Sequence, residues 1–179
     1  MSDEKSNRLA NLLLSCGVHK DDRVALLLYN RIEWLPLYFG ILETGATAVP
    51  LNFHCASDEI EYCFEKSDAT ILVFGPEFMG RAEAIVPKIK KGRFLFYVGD
   101  DCPTWAENYW ELAALCTSTN PLIPLSEDED ATIYYSSGMA GFPKAILHHH
   151  RSLTQVAATE TVRHKTVHED VFLFTMPVP

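Results

Sequence analysis

Residues 134–144 read YYSSGMAGFPK, a run of small hydroxylated and glycine residues closed by Pro-Lys, straight after an apolar, strand-like segment. These are the parts needed to hold an anion. Gly138 and Gly141 allow a tight turn that brings backbone N–H groups close to a bound charge. Ser136 and Ser137 can donate to phosphate oxygens, and Lys144 supplies positive charge at the end of the loop. The run is not a Walker loop, which needs G-x-x-x-x-G-K-[ST] opening a helix. Here Pro143 stands five positions after Gly138, no Ser or Thr follows Lys144, and the next residues, AIL, are strand-like. The dinucleotide fingerprint fails too, because Gly138 and Gly141 lack the preceding G-x and the helix. On residue types alone the segment reads equally as an anion site or a structural turn.

The other residues with chemical potential read more simply as structure. His148, His149 and His150 are consecutive, and neighbours along a strand point to opposite faces, so the three cannot all chelate one ion. We assign no metal ligand. The five cysteines, at 16, 55, 63, 102 and 116, are odd in number and share no C-x-x-C spacing, which fits reduced, buried thiols better than disulfides or a zinc site. Cys55 and Cys63 would be reactive only beside a basic neighbour, and the sequence shows none. Trp34, Tyr38 and Ile41 read as helix core, and Asn52, Phe53 and His54 as a turn with satisfied polar groups. Asp101 and Glu107 receive no acid–base role. The acidic run 127–130 reads as a solvated loop.

These residues must be positioned by an alternation of helices and strands. Helix periodicity covers residues 6–16, 33–44, 57–66, 77–91 and 152–161, with a short helix near 105–114. Gly17 and Gly45 stand where the first two helices must stop, and Ser57 and Asp58 suit a helix start. The short apolar run at 23–28 reads as a strand covered on both faces, and 46–49, 70–74, 94–98, 131–135, 144–147 and 171–174 read as further strands. This order predicts an α/β fold, a largely parallel sheet with helices on both faces. In such a sheet ligands bind beyond the carboxyl ends of strands, where YYSSGMAGFPK sits.

Composition limits the function classes. A hydrophobic fraction of 47% over 179 residues can supply a real core, and a formal net charge of −9 argues against nucleic-acid partners. No stretch approaches the roughly 18 apolar residues of a membrane span. The N-terminus has no signal-peptide core, so the expected location is cytoplasmic.

The pattern as a whole resembles the large N-terminal domain of the adenylate-forming (AMP-forming) ligases, the acyl-CoA synthetase type in particular. SNRLANLLLSCGVHKDDRVALLLYN is similar to the family's opening helix and first strand, and EWLPLYFGILETGATAVPLN to its next helix, turn and strand. YYSSGMAGFPKAILHHHRSL resembles the signature Y-T-S-G-T-T-G-x-P-K-G-V with the helix start that follows it. DVFLFTMPVP looks like the strand leading toward the acyl pocket.

The resemblance implies that a carboxylic acid attacks the α-phosphorus of MgATP to give an acyl-adenylate, which is then transferred to the thiol of coenzyme A. ATP, Mg2+ and coenzyme A would be the cofactors, a small carboxylic acid the substrate, and homo-oligomers are compatible with it. Ser136, Ser137, Gly138, Gly141 and Lys144 match the signature and would flank the β- and γ-phosphates, with 136–144 as the phosphate loop. The family's histidine at the His150 position implies a structural place near the nucleotide edge. Residues 1–179 would form a partial N-terminal adenylation domain, lacking the family's C-terminal part and mobile lysine-bearing domain. No catalytic residue is assigned within it, and the chain alone is expected to be inactive. The competing reading is a truncated, non-catalytic remnant that binds a nucleotide or a protein. Met139 and Ala140 replace paired hydroxyls of the signature and Ala145 its glycine, which predicts a weaker hold on phosphate.

Overall fold

The computed structural model describes residues 2–136 and 143–171. Four short runs, β1 (Arg23–Leu27), β2 (Thr47–Pro50), β3 (Ile71–Phe74) and β4 (Phe94–Tyr97), are parallel neighbours in the order β4-β3-β1-β2. A two-residue strand, β5 (Glu107–Asn108), extends the sheet beyond β4. On the other side β6 (Asp130–Ser136) lies parallel to β2, and β7 (Lys144–His149) returns antiparallel to β6 as the outermost strand. The antiparallel return follows from chain length, since a parallel neighbour needs a crossover of a dozen or more residues. The sheet is largely parallel with helices on both faces, as the sequence predicts.

Alternation along the strands separates two cores. Val24, Leu26, Ile71, Val73 and Phe96 point into one, together with α1 (Ser2–Ser15), α2 (Trp34–Glu43) and α5 (Tyr109–Ala114). Ala25, Leu27, Leu72, Phe74 and Tyr97 point into the other, with α3 (Ser57–Lys66) and α4 (Met79–Ile85). Both faces are covered, which is why β2 and β3 are buried at every position. Each fully buried large apolar side chain contributes about 1.5–3 kcal/mol over leaving it in water.

The helix stops are where the glycines put them. Gly17 and Gly45 take left-handed φ values of 76° and 80°, and the Val18 N–H reaches back to the Leu13 carbonyl at 3.0 Å. Close packing of α1 on α2 depends on Gly40, where an added Cβ would stand 2.7 Å from the Ser6 carbonyl oxygen.

Four expectations need correction. The helix expected at 77–91 is a 3-10 turn, Pro76–Phe78, followed by α4, which ends at Ile85. Pro87 lacks the N–H that would continue the ladder, and the chain turns there with Lys88 N–H donating to Ile85 at 2.8 Å. The helix near 105–114 starts only at Tyr109, because Asn108 belongs to β5 and caps α5 by accepting from Trp110 and Glu111 N–H. The helix expected at 6–16 is α1, which begins four residues earlier, at Ser2, and ends at Ser15, whereas α3 has the expected bounds, with the Glu59 carboxylate accepting the Ala56 N–H at 2.9 Å. The last helix, α6, runs His150–His164, longer at both ends than the periodicity implies. The strand expected at 171–174 lies outside the described residues beyond Val171.

Candidate functional site

The pairing of β6 with β7 gives the candidate site its geometry. Ser136 is the register partner of Lys144, Tyr135 of Ala145 and Tyr134 of Ile146. Cross-strand pairing sets such Cα atoms about 4.5–5.5 Å apart. Ser136 therefore stands opposite Lys144, one at each end of the connection that carries Ser137, Gly138 and Gly141. Those three fall in 137–142, outside the described residues. The hairpin tip lies at the carboxyl end of β6, which runs parallel to β2 and hence to β1, β3 and β4. That is the end of a parallel sheet at which ligands bind.

Ser136 and Lys144 are both exposed, and among the described residues Lys144 makes no ion pair. An anion arriving at Lys144 would have no carboxylate among the described residues to displace.

The strand beneath is held rigidly on both faces. Thr132 is buried and its hydroxyl donates to the Ala48 carbonyl at 3.0 Å. Tyr135 reaches through the second core to donate to the Cys63 carbonyl at 2.8 Å, while the Tyr134 hydroxyl meets that of Tyr38 at 3.3 Å on the first. Burial raises the Tyr38 and Tyr135 phenols well above their ordinary range, so both stay neutral and act as hydrogen-bonding posts. A positioned loop on a rigid scaffold is the usual arrangement for a binding site.

The other end of the hairpin is a different environment. Asp130 pairs with His149, and His150 N–H donates to the Glu129 carbonyl at 3.1 Å. His150 thus sits at the amino end of β6, roughly 20 Å of strand away from Ser136 at about 3.3 Å per residue. The register places it at the opposite end of the hairpin from Ser136 and Lys144. Its ring is held mostly neutral, since burial lowers its pKa while Glu129 only partly opposes the shift. The three histidines face three different partners. His148 lies edge-on to Tyr134 at 5.7 Å, His149 Nδ1 is 3.1 Å from Asp130, and His150 borders the groove under α6.

The acidic run is the solvated loop expected, exposed at Glu127 and Asp128, and it also carries ion pairs. Asp128 lies 2.9 Å and Glu127 3.8 Å from Arg151, and Glu129 pairs with Lys20. Exposed pairs of this kind are worth at most about 1 kcal/mol, but they lie beside the first turn of α6, where negative charge is favoured.

The remaining candidates are structural, as read from the sequence. Trp34 and Tyr38 stack at 5.2 Å within the core, and Asn52 Oδ1 accepts the His54 N–H at 2.9 Å in a turn. Cys55 does have a basic neighbour, Arg81, brought beside it only by the fold. Its guanidinium donates to the Phe53 and Cys55 carbonyls, yet burial still dominates and raises the Cys55 thiol pKa. Burial pushes Cys63 up to about 12, leaving it inert. Among the described residues, no three His, Cys, Asp or Glu side chains could hold a metal ion. No helix there is long and apolar enough to cross a membrane. Glu43, the single charge in α2 (WLPLYFGILE), was missed, although an isolated acid in an apolar helix is a visible signal.

Comparison with known proteins agrees with this geometry. The family model described as AMP-binding enzyme matches residues 2–178. A medium/long-chain-fatty-acid–CoA/3-oxocholest-4-en-26-oate–CoA ligase of Mycolicibacterium smegmatis is 33% identical over 159 residues, 86% of this chain and 29% of that protein. The 4-hydroxybutyrate–CoA ligase 2 of Metallosphaera sedula is 30% identical over 179 residues, 94% of this chain and 32% of that protein. A solved anthranilate–CoA ligase, in complex with anthranoyl-AMP, superimposes with a TM-score of 0.85 at 25% identity, over 88% of this chain and 30% of its own. The chain therefore spans about a third of the length of the relatives it matches.

Proposed function

The chain belongs to the AMP-binding enzymes, and we propose that it forms the phosphate-binding part of an AMP-forming acyl-CoA ligase. In this reading Ser136, Ser137, Gly138, Gly141 and Lys144 hold the β- and γ-phosphates of MgATP, and residues 1–179 are the first part of an adenylation domain. A carboxylic acid attacks the α-phosphorus, pyrophosphate leaves, and the acyl-adenylate passes its acyl group to the thiol of coenzyme A with release of AMP.

The observation that carries the reading is the register of Ser136 on Lys144, at the carboxyl end of the parallel sheet, in a chain matched by the family along nearly its whole length. The hairpin contributes position and charge. Two paired strands fix the loop ends, and Lys144 offers a cation to charge that shifts onto pyrophosphate as the bond to the α-phosphorus breaks. Mg2+ enters as part of MgATP, carried by its phosphates.

The relatives act on different acids, as their names state: medium- and long-chain fatty acids, 4-hydroxybutyrate and anthranilate. Likeness over this segment supports the reaction class and leaves the acid open.

The test is carboxylate-dependent ATP–pyrophosphate exchange by the natural polypeptide, with and without Lys144→Ala. A hydrogen bond to a charged group is worth about 1.5–3 kcal/mol, so exchange falls by about 10- to 150-fold in the variant. Exchange that Lys144→Ala leaves unchanged removes this loop from the site.

A further inference from the structure

The β6–β7 hairpin leaves the sheet where the ladder beside it weakens. β2 and β6 are in register at Ala48 and Thr132, which puts Pro50 level with Tyr134. Thr47 and Leu51 donate toward β1, to the Asp22 and Leu26 carbonyls, so residues 48 and 50 are the ones that face β6. Pro50 has no N–H to give. Toward the tip the pairing of β6 continues with β7, Tyr135 on Ala145 and Ser136 on Lys144. β7 is itself the outermost strand and exposed over 144–147. A hairpin tied to the sheet by so little backbone needs side chains to hold its direction.

Two tyrosines do so, one on each face, and they are not equivalent. The Tyr134 and Tyr38 hydroxyls are 3.3 Å apart, well beyond the roughly 2.7–2.8 Å usual for an O–H···O bond. The Tyr135 hydroxyl donates to the Cys63 carbonyl of α3 at 2.8 Å. That carbonyl also accepts the Ser67 N–H at 3.0 Å, as its two lone pairs allow. The Tyr135 ring packs against the second core, and α3 is anchored there by buried Ile60, Cys63 and Phe64. Tyr135 directly precedes Ser136, and its register partner Ala145 directly follows Lys144. One hydrogen bond therefore fixes the rung from which both ends of the loop project. Phenylalanine would fill the same space, so packing alone does not call for the hydroxyl.

We infer that Tyr135 is a positioning residue, whose bond to the Cys63 carbonyl holds the last rungs of the hairpin so that Ser136 and Lys144 meet the β- and γ-phosphates together. The inference rests on the reading of 136–144 as the phosphate loop. Tyr135 acts through its neighbours, because its own hydroxyl is committed to α3 on the core side. Burial raises the phenol pKa, which keeps the donor proton in place at neutral pH.

Equilibrium titration of the natural polypeptide with MgATP, and with AMP, which lacks the β- and γ-phosphates, tests the inference in the parent, Tyr135→Phe and Lys144→Ala. Tyr135→Phe leaves the Cys63 carbonyl its bond to Ser67, so no buried group is orphaned and the fold persists. The variant binds MgATP about three- to tenfold more weakly and AMP within about twofold of the parent. If Lys144→Ala weakens MgATP and Tyr135→Phe does not, the inference is overturned while the loop assignment stands. Equal weakening of MgATP and AMP by Tyr135→Phe also overturns it, since a merely structural role moves both ligands alike. Lys144→Ala without effect on MgATP removes the loop from the site, and the inference with it.

Discussion

The two sides of this sheet are built under different constraints. In β2 and β3 every residue is buried, and β1 is buried beyond Arg23. Helices cover both of their faces, so each side chain answers to packing. At the other side, β7 is exposed at Lys144, Ala145, Ile146 and Leu147, and α6 has no buried residue. Burial chooses residues in the first region and leaves them free in the second. Of the signature residues, Ser136 and Lys144 are described, and both stand exposed, where packing does not demand them.

The contrast is sharpest in stability. Phe64, fully buried in the second core, should cost about 3–5 kcal/mol on Phe64→Ala. Val156→Ala on α6, where Val156 is 63% exposed, should stay within about 0.5 kcal/mol. Urea unfolding followed by fluorescence measures both, and equal costs would erase the distinction between the two regions.

Close packing in the first core gives the next effect. Gly40→Ala would bring a methyl group within 2.9 Å of Leu9 Cβ as well as against the Ser6 carbonyl. A fit that tight should destabilise by about 1–3 kcal/mol, read as a lower denaturant midpoint at unchanged slope. No change would mean that α1 rides loosely on α2.

A smaller effect belongs to the loop. Met139→Thr restores a hydroxyl of the signature and should tighten MgATP severalfold, up to the roughly tenfold worth of one charged hydrogen bond, with the unfolding midpoint unmoved. Weaker binding after the change would show that the phosphates are held by another arrangement.

What could be read beforehand follows the same division. The apolar runs RVALLL and TILVF specify strands because both faces of a parallel sheet are covered, and Gly17 and Gly45 mark helix ends by their left-handed backbone. Pro87 was an available stop signal for α4, and the apolar spacing around it obscured the break. The phosphate signature was legible as residue types, but the opposition of Ser136 and Lys144 required the strand register. His150 shows the limit most plainly. Six positions beyond Lys144 in sequence, it lies at the far end of the hairpin because β7 carries the chain back along β6. The groove under α6 was hidden for a related reason, since Asp3, Glu43 and His150 line it only because α1, α2 and α6 flank the same strand.

The measurement that bears most directly on the central claim is a MgATP titration of the 179-residue chain beside its Lys144→Ala variant, each first confirmed folded by circular dichroism. The account predicts saturable binding by the parent chain and a loss of tenfold or more in the variant. Equal affinity in the two, with both folded, would contradict the assignment of the β6–β7 hairpin as the phosphate site.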